Sequence, residues 1–193
     1  LNDEEKSFLK ELIAEPIQIK GIRAALEHIG NPPLPLPKDF EKTNENFDKF
    51  KKDVLAEHGD NVYQIWYSLK TSNNIREKID GILKKYVKEN YPEIDEPLNY
   101  MWEYTMFDDD CFIKEHIDGR DPNRVVGILI YLNEDYDTEN GGLLRVINPD
   151  TNEIEDVIPE LGNTILIDYT QNEVSHEVLK IVKGKQRRAI CAF

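Results

Sequence analysis

The chain has 193 residues, 39% hydrophobic and 32% charged, which suits one folded domain with a sizeable core. A net charge of −14 argues against a nucleic-acid or anionic-membrane surface, because phosphate binding needs clustered Lys and Arg. Two cysteines, Cys111 and Cys191, argue against a disulfide scaffold and fit a reducing, cytoplasmic compartment; no signal peptide is visible, and no apolar run nears the roughly 18 residues of a membrane span.

In chain order, "DEEKSFLKELIAE" sets Phe8, Leu9, Leu12 and Ile13 on one helical face. "IKGIRAALEHIG" (19–30) repeats the pattern and predicts a second helix stopping at Gly30. "NPPLPLPKD" is too proline-rich for helix or central strand and reads as a connector. A helix is expected over 44–57, a strand over 62–70, and a further helix over 73–91, with Ile75, Ile79, Ile82, Leu83 and Val87 along one stripe. From about residue 98 the texture changes to short strands and turns. Strands are predicted near 99–107, 111–117, 124–133, 142–148, 153–158, 163–169, 174–181 and 186–192, punctuated by Asp-rich, Asn-Pro and Gly-Gly turns. Strands at such even spacing suggest a sandwich or barrel, the double-sheet jelly roll among them. The expected organisation is a helical support region, 1–95, in the same domain as a β core, 96–193.

Two of the four histidines are followed by an aspartate two positions on: His58-Gly59-Asp60 and His116-Ile117-Asp118. Chance explains much of this, since 38 of 193 residues are acidic. Local structure separates the two. On a strand, i and i+2 share a face about 6–7 Å apart and can aim at one metal ion. On a helix they diverge by about 200° and cannot. His58 ends a helical pattern, and Gly59 stands where a C-cap belongs. His116 ends the alternating run "CFIKEH", in which Phe112, Lys114 and His116 would share one side. Glu115 and Ile117 should then point away from the site.

A metal needs a third ligand. His28 lies in the predicted second helix and suits a surface or core role. His176 opens a strand 60 residues after His116. Two imidazoles and a carboxylate with open positions make the facial triad of non-haem Fe(II) oxygenases, and the same set could hold Zn²⁺ with a water. Eleven residues after His176 comes "RRAICAF", an apolar-alternating strand with Arg187 and Arg188. A buried strand has little use for arginine unless it binds an anion, and guanidinium pairs bidentately with carboxylates.

Together "HID" (116–118), "GILIYLNEDYDTENGGLLRV" (127–146), "GNTILIDY" (162–169), "SHEV" (175–178) and "RRAICAF" (187–193) resemble the catalytic core of the Fe(II)- and 2-oxoglutarate-dependent dioxygenases, in particular the prolyl 4-hydroxylase and prolyl hydroxylase domain group. The resemblance implies an α+β, mainly β fold: a double-stranded β-helix, or distorted jelly roll, with supporting N-terminal helices. It implies that His116, Asp118 and His176 are the catalytic iron ligands. Arg187, through the family's Arg-x-Ala-Ile pattern, would bind the distal carboxylate of 2-oxoglutarate with Tyr131, while Leu129 lines the pocket. Arg124 matches an arginine near the substrate. Fe(II), 2-oxoglutarate and O₂, with ascorbate as a possible addition, would be the cofactors. The implied reaction is hydroxylation of an unactivated C–H, foremost a prolyl residue in a peptide or protein. A free amino acid or small natural product is the alternative substrate, and a non-enzymatic cupin-like metal-binding module the alternative function. Asp118 favours hydroxylation over halogenation, because related halogenases lack the carboxylate. Substrate, regiochemistry and oligomeric state stay open.

Overall fold

The computed structural model describes residues 1–27, 32–94, 101–118, 126–169 and 174–193. Among the described residues, three α-helices precede most of the sheet. Helix α1 (Asp3–Ala14) begins at a capping box in which Asn2 and Glu5 satisfy each other's backbone N–H groups. Helix α2 (Asn44–His58) is capped by Thr43, and α3 (Asn73–Asn90) by Ser72. Each buries a single stripe: Phe8, Leu9 and Leu12 on α1, Phe47 and Val54 on α2, and all five predicted residues of α3.

Among the described residues, ten strands form one antiparallel sheet: β1 (Ile19–Ala25), β2 (Gln64–Leu69), β3 (Trp102–Phe107), β4 (Phe112–Ile117), β5 (Val126–Tyr131), β6 (Leu144–Ile147), β7 (Ile154–Val157), β8 (Thr164–Asp168), β9 (Ser175–Val178) and β10 (Arg187–Ala192). Their order is β7-β6-β9-β4-β2-β3-β10-β5-β8, with β1 on the other edge of β2. The sheet curls into the double-stranded β-helix. Strand β2 joins its two halves: Gln64 and Ile65 pair with β4, whereas Tyr67 and Ser68 pair with β3.

Period-2 alternation assigns the faces. Ile65, Tyr67, Tyr104, Met106, Ile128, Ile130 and Ile190 are buried in one core with the helix stripes. The opposite face, carrying Gln64, Trp66, Phe107, Leu129, Tyr131, Ile165 and Arg187, turns inward. A buried ion pair fastens α2 to the β3–β4 turn: Lys51 Nζ lies 2.5 Å from Asp108 Oδ1 and 2.7 Å from the Asp109 carbonyl.

Two expectations are corrected. The segment predicted as a second helix forms β1 over residues 19–25, because pairing with β2 overrides a modest helical pattern; Gly30 and His28 lie outside the described residues. The alternation expected for β4 is also broken. Ile113 pairs with Val178 and His116 with His176, so three steps along β4 match two along β9. This bulge puts His116 in phase with Ile113 rather than with Phe112 and Lys114. Beyond it, Glu115 and Ile117 are exposed, as expected. The 44–57 and 73–91 helices and all eight predicted C-terminal strands are present, each within a few residues of its expected limits. His58 ends α2 with Gly59 at the cap, the helix end read from the sequence.

Candidate metal and anion site

Cross-strand pairing on β4 and β9 sets His116 and His176 directly opposite each other. Their ring centroids are 4.2 Å apart. Asp118, just past β4, places Oδ1 3.5 Å from His116 Nε2. Ligand atoms from His116, Asp118 and His176 all lie within 4.8 Å of one another, and this is the one such cluster among the described residues. Nδ1 of His116 is 2.9 Å from the Lys114 carbonyl, and Nδ1 of His176 is 3.2 Å from the Val174 carbonyl. A carbonyl only accepts, so each Nδ1 carries a proton, which leaves Nε2 as the atom that faces the site.

Burial alone would raise the Asp118 carboxyl; hydrogen bonds from His116 and Tyr169 and the charges of both histidines outweigh it and hold the group well below the usual carboxylate range. Burial lowers His176, and neighbouring His116 lowers it further against the opposing pull of Asp118. One carboxylate and two imidazoles suit a divalent cation.

On the adjoining inward face, Arg187 is 1% exposed. Its guanidinium is 5.0 Å from the centroids of both the Phe107 and Tyr131 rings. Nη2 lies 3.4 Å from Tyr131 Oη, and Nε has no hydrogen-bond partner among the described residues. No carboxylate among the described residues pairs with this cation. Gly142, at φ +63°, keeps the space clear: a Cβ there would meet Arg187 Cδ at 3.3 Å and Tyr136 Oη at 2.7 Å. Arg188 points the other way, toward the Ile13 carbonyl of α1 at 3.2 Å and Gln186 Oε1 at 2.8 Å.

The structure thus gathers His116, Asp118 and His176 into one cluster and Arg187 with Tyr131 into one pocket. Leu129 shares the inward face of β5 with Tyr131 and pairs with Cys191. Arg124 lies outside the described residues. Sequence reasoning missed Phe107, which backs the guanidinium, and Tyr169, whose hydroxyl donates to Asp118 Oδ2 at 2.6 Å. The phase of β8 carries the signal for Tyr169: Ile165, Ile167 and Tyr169 fall on the same side as Leu129, the partner of Ile165.

A two-histidine, one-carboxylate cluster and a buried cation with no carboxylate partner among the described residues, both inside a double-stranded β-helix, fit a metal-dependent oxygenase domain. Residues 101–193 match the family model described as the 2OG-Fe(II) oxygenase superfamily. No curated protein sequence matches the chain. Among solved structures, a prolyl-4-hydroxylase of Pseudomonas putida aligns with 97% of this chain and 86% of its own, at TM-score 0.52 and 18% identity. A 2OG-Fe(II) oxygenase family oxidoreductase of Burkholderia pseudomallei aligns with 100% and 91%, at TM-score 0.50 and 15% identity. A Trichoplax adhaerens prolyl hydroxylase, solved with a hypoxia inducible factor peptide fragment, aligns with 61% and 55%, at TM-score 0.51 and 18% identity. These are likenesses of fold. The family implies Fe(II), 2-oxoglutarate and O₂. The donor set fits the metal, and the unpartnered Nε of buried Arg187 fits a dicarboxylate.

Proposed function

We propose that the chain is an Fe(II)- and 2-oxoglutarate-dependent hydroxylase whose foremost substrate is a prolyl residue in a peptide or protein. The single observation that carries the co-substrate assignment is Arg187: a guanidinium 1% exposed, inside the barrel and without a counter-ion among the described residues. A buried cation left unpaired is costly, and a carboxylate relieves that cost.

His116, Asp118 and His176 would hold Fe(II). When bound, the metal would supply the oxygen chemistry by which 2-oxoglutarate and O₂ become succinate and CO₂, one oxygen atom going to succinate and the other into the substrate C–H bond. The chain's own residues bind, orient and exclude water. Arg187 would take the distal carboxylate, and the Phe107 and Tyr131 rings hold the guanidinium between them. Tyr131 Oη would add a hydrogen bond to the same carboxylate. Leu129 and its neighbours Ile165 and Cys191 would wall the pocket with apolar surface. A dry wall strengthens the Arg187–carboxylate attraction. Arg124 would approach the substrate. Ascorbate would serve to restore the ferrous state.

The prolyl assignment is supported by fold likeness to prolyl hydroxylases. The test is succinate formation with Fe(II), 2-oxoglutarate and ascorbate, with His116→Ala as the control. Mass spectrometry then reads the gain of one oxygen across proline-containing peptides and free amino acids. Oxygen gain only in the free amino acids would overturn the peptidyl assignment. Absence of both turnover and 2-oxoglutarate binding would overturn the enzyme.

A further inference from the structure

Tyr169 follows β8 directly, two residues past Ile167, and Ile167 pairs with Gly127 on β5. A Cβ at Gly127 would lie 2.7 Å from Tyr169 Oη, 3.0 Å from Cε2 and 3.2 Å from Cζ. The phenol therefore lies across a position that only glycine keeps clear. From that seat its hydroxyl reaches Asp118 Oδ2 at 2.6 Å. The hydrogen bond joins the end of β8, the last strand on one side of the sheet path, to the end of β4 in its middle. Asp118 Oδ1 remains on the His116 side, 3.5 Å from Nε2.

A carboxylate can grip a cation with one oxygen or with both. If both engage, a coordination position is lost, and this chemistry needs its open positions. A short O–H···O⁻ bond to Oδ2 is charge-assisted and directional, and it occupies the oxygen that would make the second contact. We propose that Tyr169, seated over Gly127, is a positioning residue that presents Asp118 to the metal through Oδ1 alone and so keeps a position free for the co-substrate. This rests on the oxygenase reading above.

The test uses the full chain and Co(II), whose visible absorption reports coordination number. Tyr169→Phe keeps the ring and loses only the hydroxyl. Partners that orient metal ligands are worth about 10–100-fold in metal affinity. Co(II) should therefore bind Tyr169→Phe about 10–100-fold more weakly, with an altered absorption band and a smaller spectral response to 2-oxoglutarate. Gly127→Ala should reproduce this by displacing a hydroxyl that is still present, and it carries the test if Tyr169→Phe does not fold. In a Tyr169→Ala background, Gly127→Ala should add nothing, because it acts through the ring. Wild-type affinity and absorption in Tyr169→Phe overturn the proposal alone. A wild-type chain that takes up no Co(II) overturns the oxygenase reading and the proposal with it.

Discussion

Arg187→Met tests the co-substrate pocket most sharply, because it should move stability and binding in opposite directions. Methionine keeps most of the side-chain length and removes the charge. In the ligand-free chain the guanidinium is 1% exposed and is offset mainly by two aromatic rings, each with its centroid 5.0 Å away. A desolvated cation–π contact is worth about 2 kcal/mol, whereas burying the ion costs several. Replacing it with an apolar side chain should therefore stabilise the free chain, by about 1–3 kcal/mol. At this size that is a melting-temperature rise on the order of 2–4 °C per kcal/mol. The same change should abolish the distal-carboxylate contact. Removing one partner of a buried, hydrogen-bonded charge pair costs about 2–5 kcal/mol, a roughly 30- to 4,000-fold loss of 2-oxoglutarate affinity. Calorimetric titration of 2-oxoglutarate into the Mn(II)-loaded chain reads the binding, and melting without ligand reads the stability. Arg188→Ala is the control: its guanidinium contacts Ile13 O and Gln186 Oε1 outside the pocket, so affinity should hold. A destabilised Arg187→Met that binds 2-oxoglutarate like wild type would refute the reasoning and make Arg187 a structural residue.

Three further outcomes follow from the same geometry. His116→Ala, Asp118→Ala and His176→Ala should each abolish the thermal stabilisation by Mn(II), which in the wild type should reach about 2.7 kcal/mol at a hundredfold excess over Kd. Tyr131→Phe should weaken 2-oxoglutarate about 2- to 10-fold in the same titration, the value of one hydrogen bond, and leave Mn(II) binding unchanged. Lys51→Met should cost about 1.5–3 kcal/mol in denaturant unfolding. The cost stays below that of a fully buried pair because the Asp108 side chain keeps 21% of its surface in solvent.

The fold was legible wherever one periodicity stood alone. The five-residue apolar stripe of α3 and the turn-bounded strands after residue 98 each admit one reading. Residues 19–25 do not: Ile19, Ile22 and Ala25 recur at helical spacing, yet the segment pairs along the whole length of β2. The competing information, an open edge on β2, lies some 40 residues away in sequence and has no local trace. The β4 bulge was hidden for a related reason. An extra residue leaves every side chain in place in the sequence and changes only the count of steps between Ile113 and His116 relative to Val178 and His176.

The site was legible to the extent that its chemistry is tied to residue type. Histidine, aspartate and buried arginine are costly to place without a partner, so their positions on late strands carried meaning before any coordinates did. Tyrosine and glycine carry no such signal, because a tyrosine on a strand is ordinary core and a glycine ordinary slack. Tyr169 acquires a role only when Gly127 is seen beneath it and Asp118 in front of it, a relation among three strands. Candidate metal ligands can therefore be read from residue types and spacing, whereas residues that would orient them have to be read from packing. On the proposal above, the oxygen by which Asp118 would meet a metal is set by that packing.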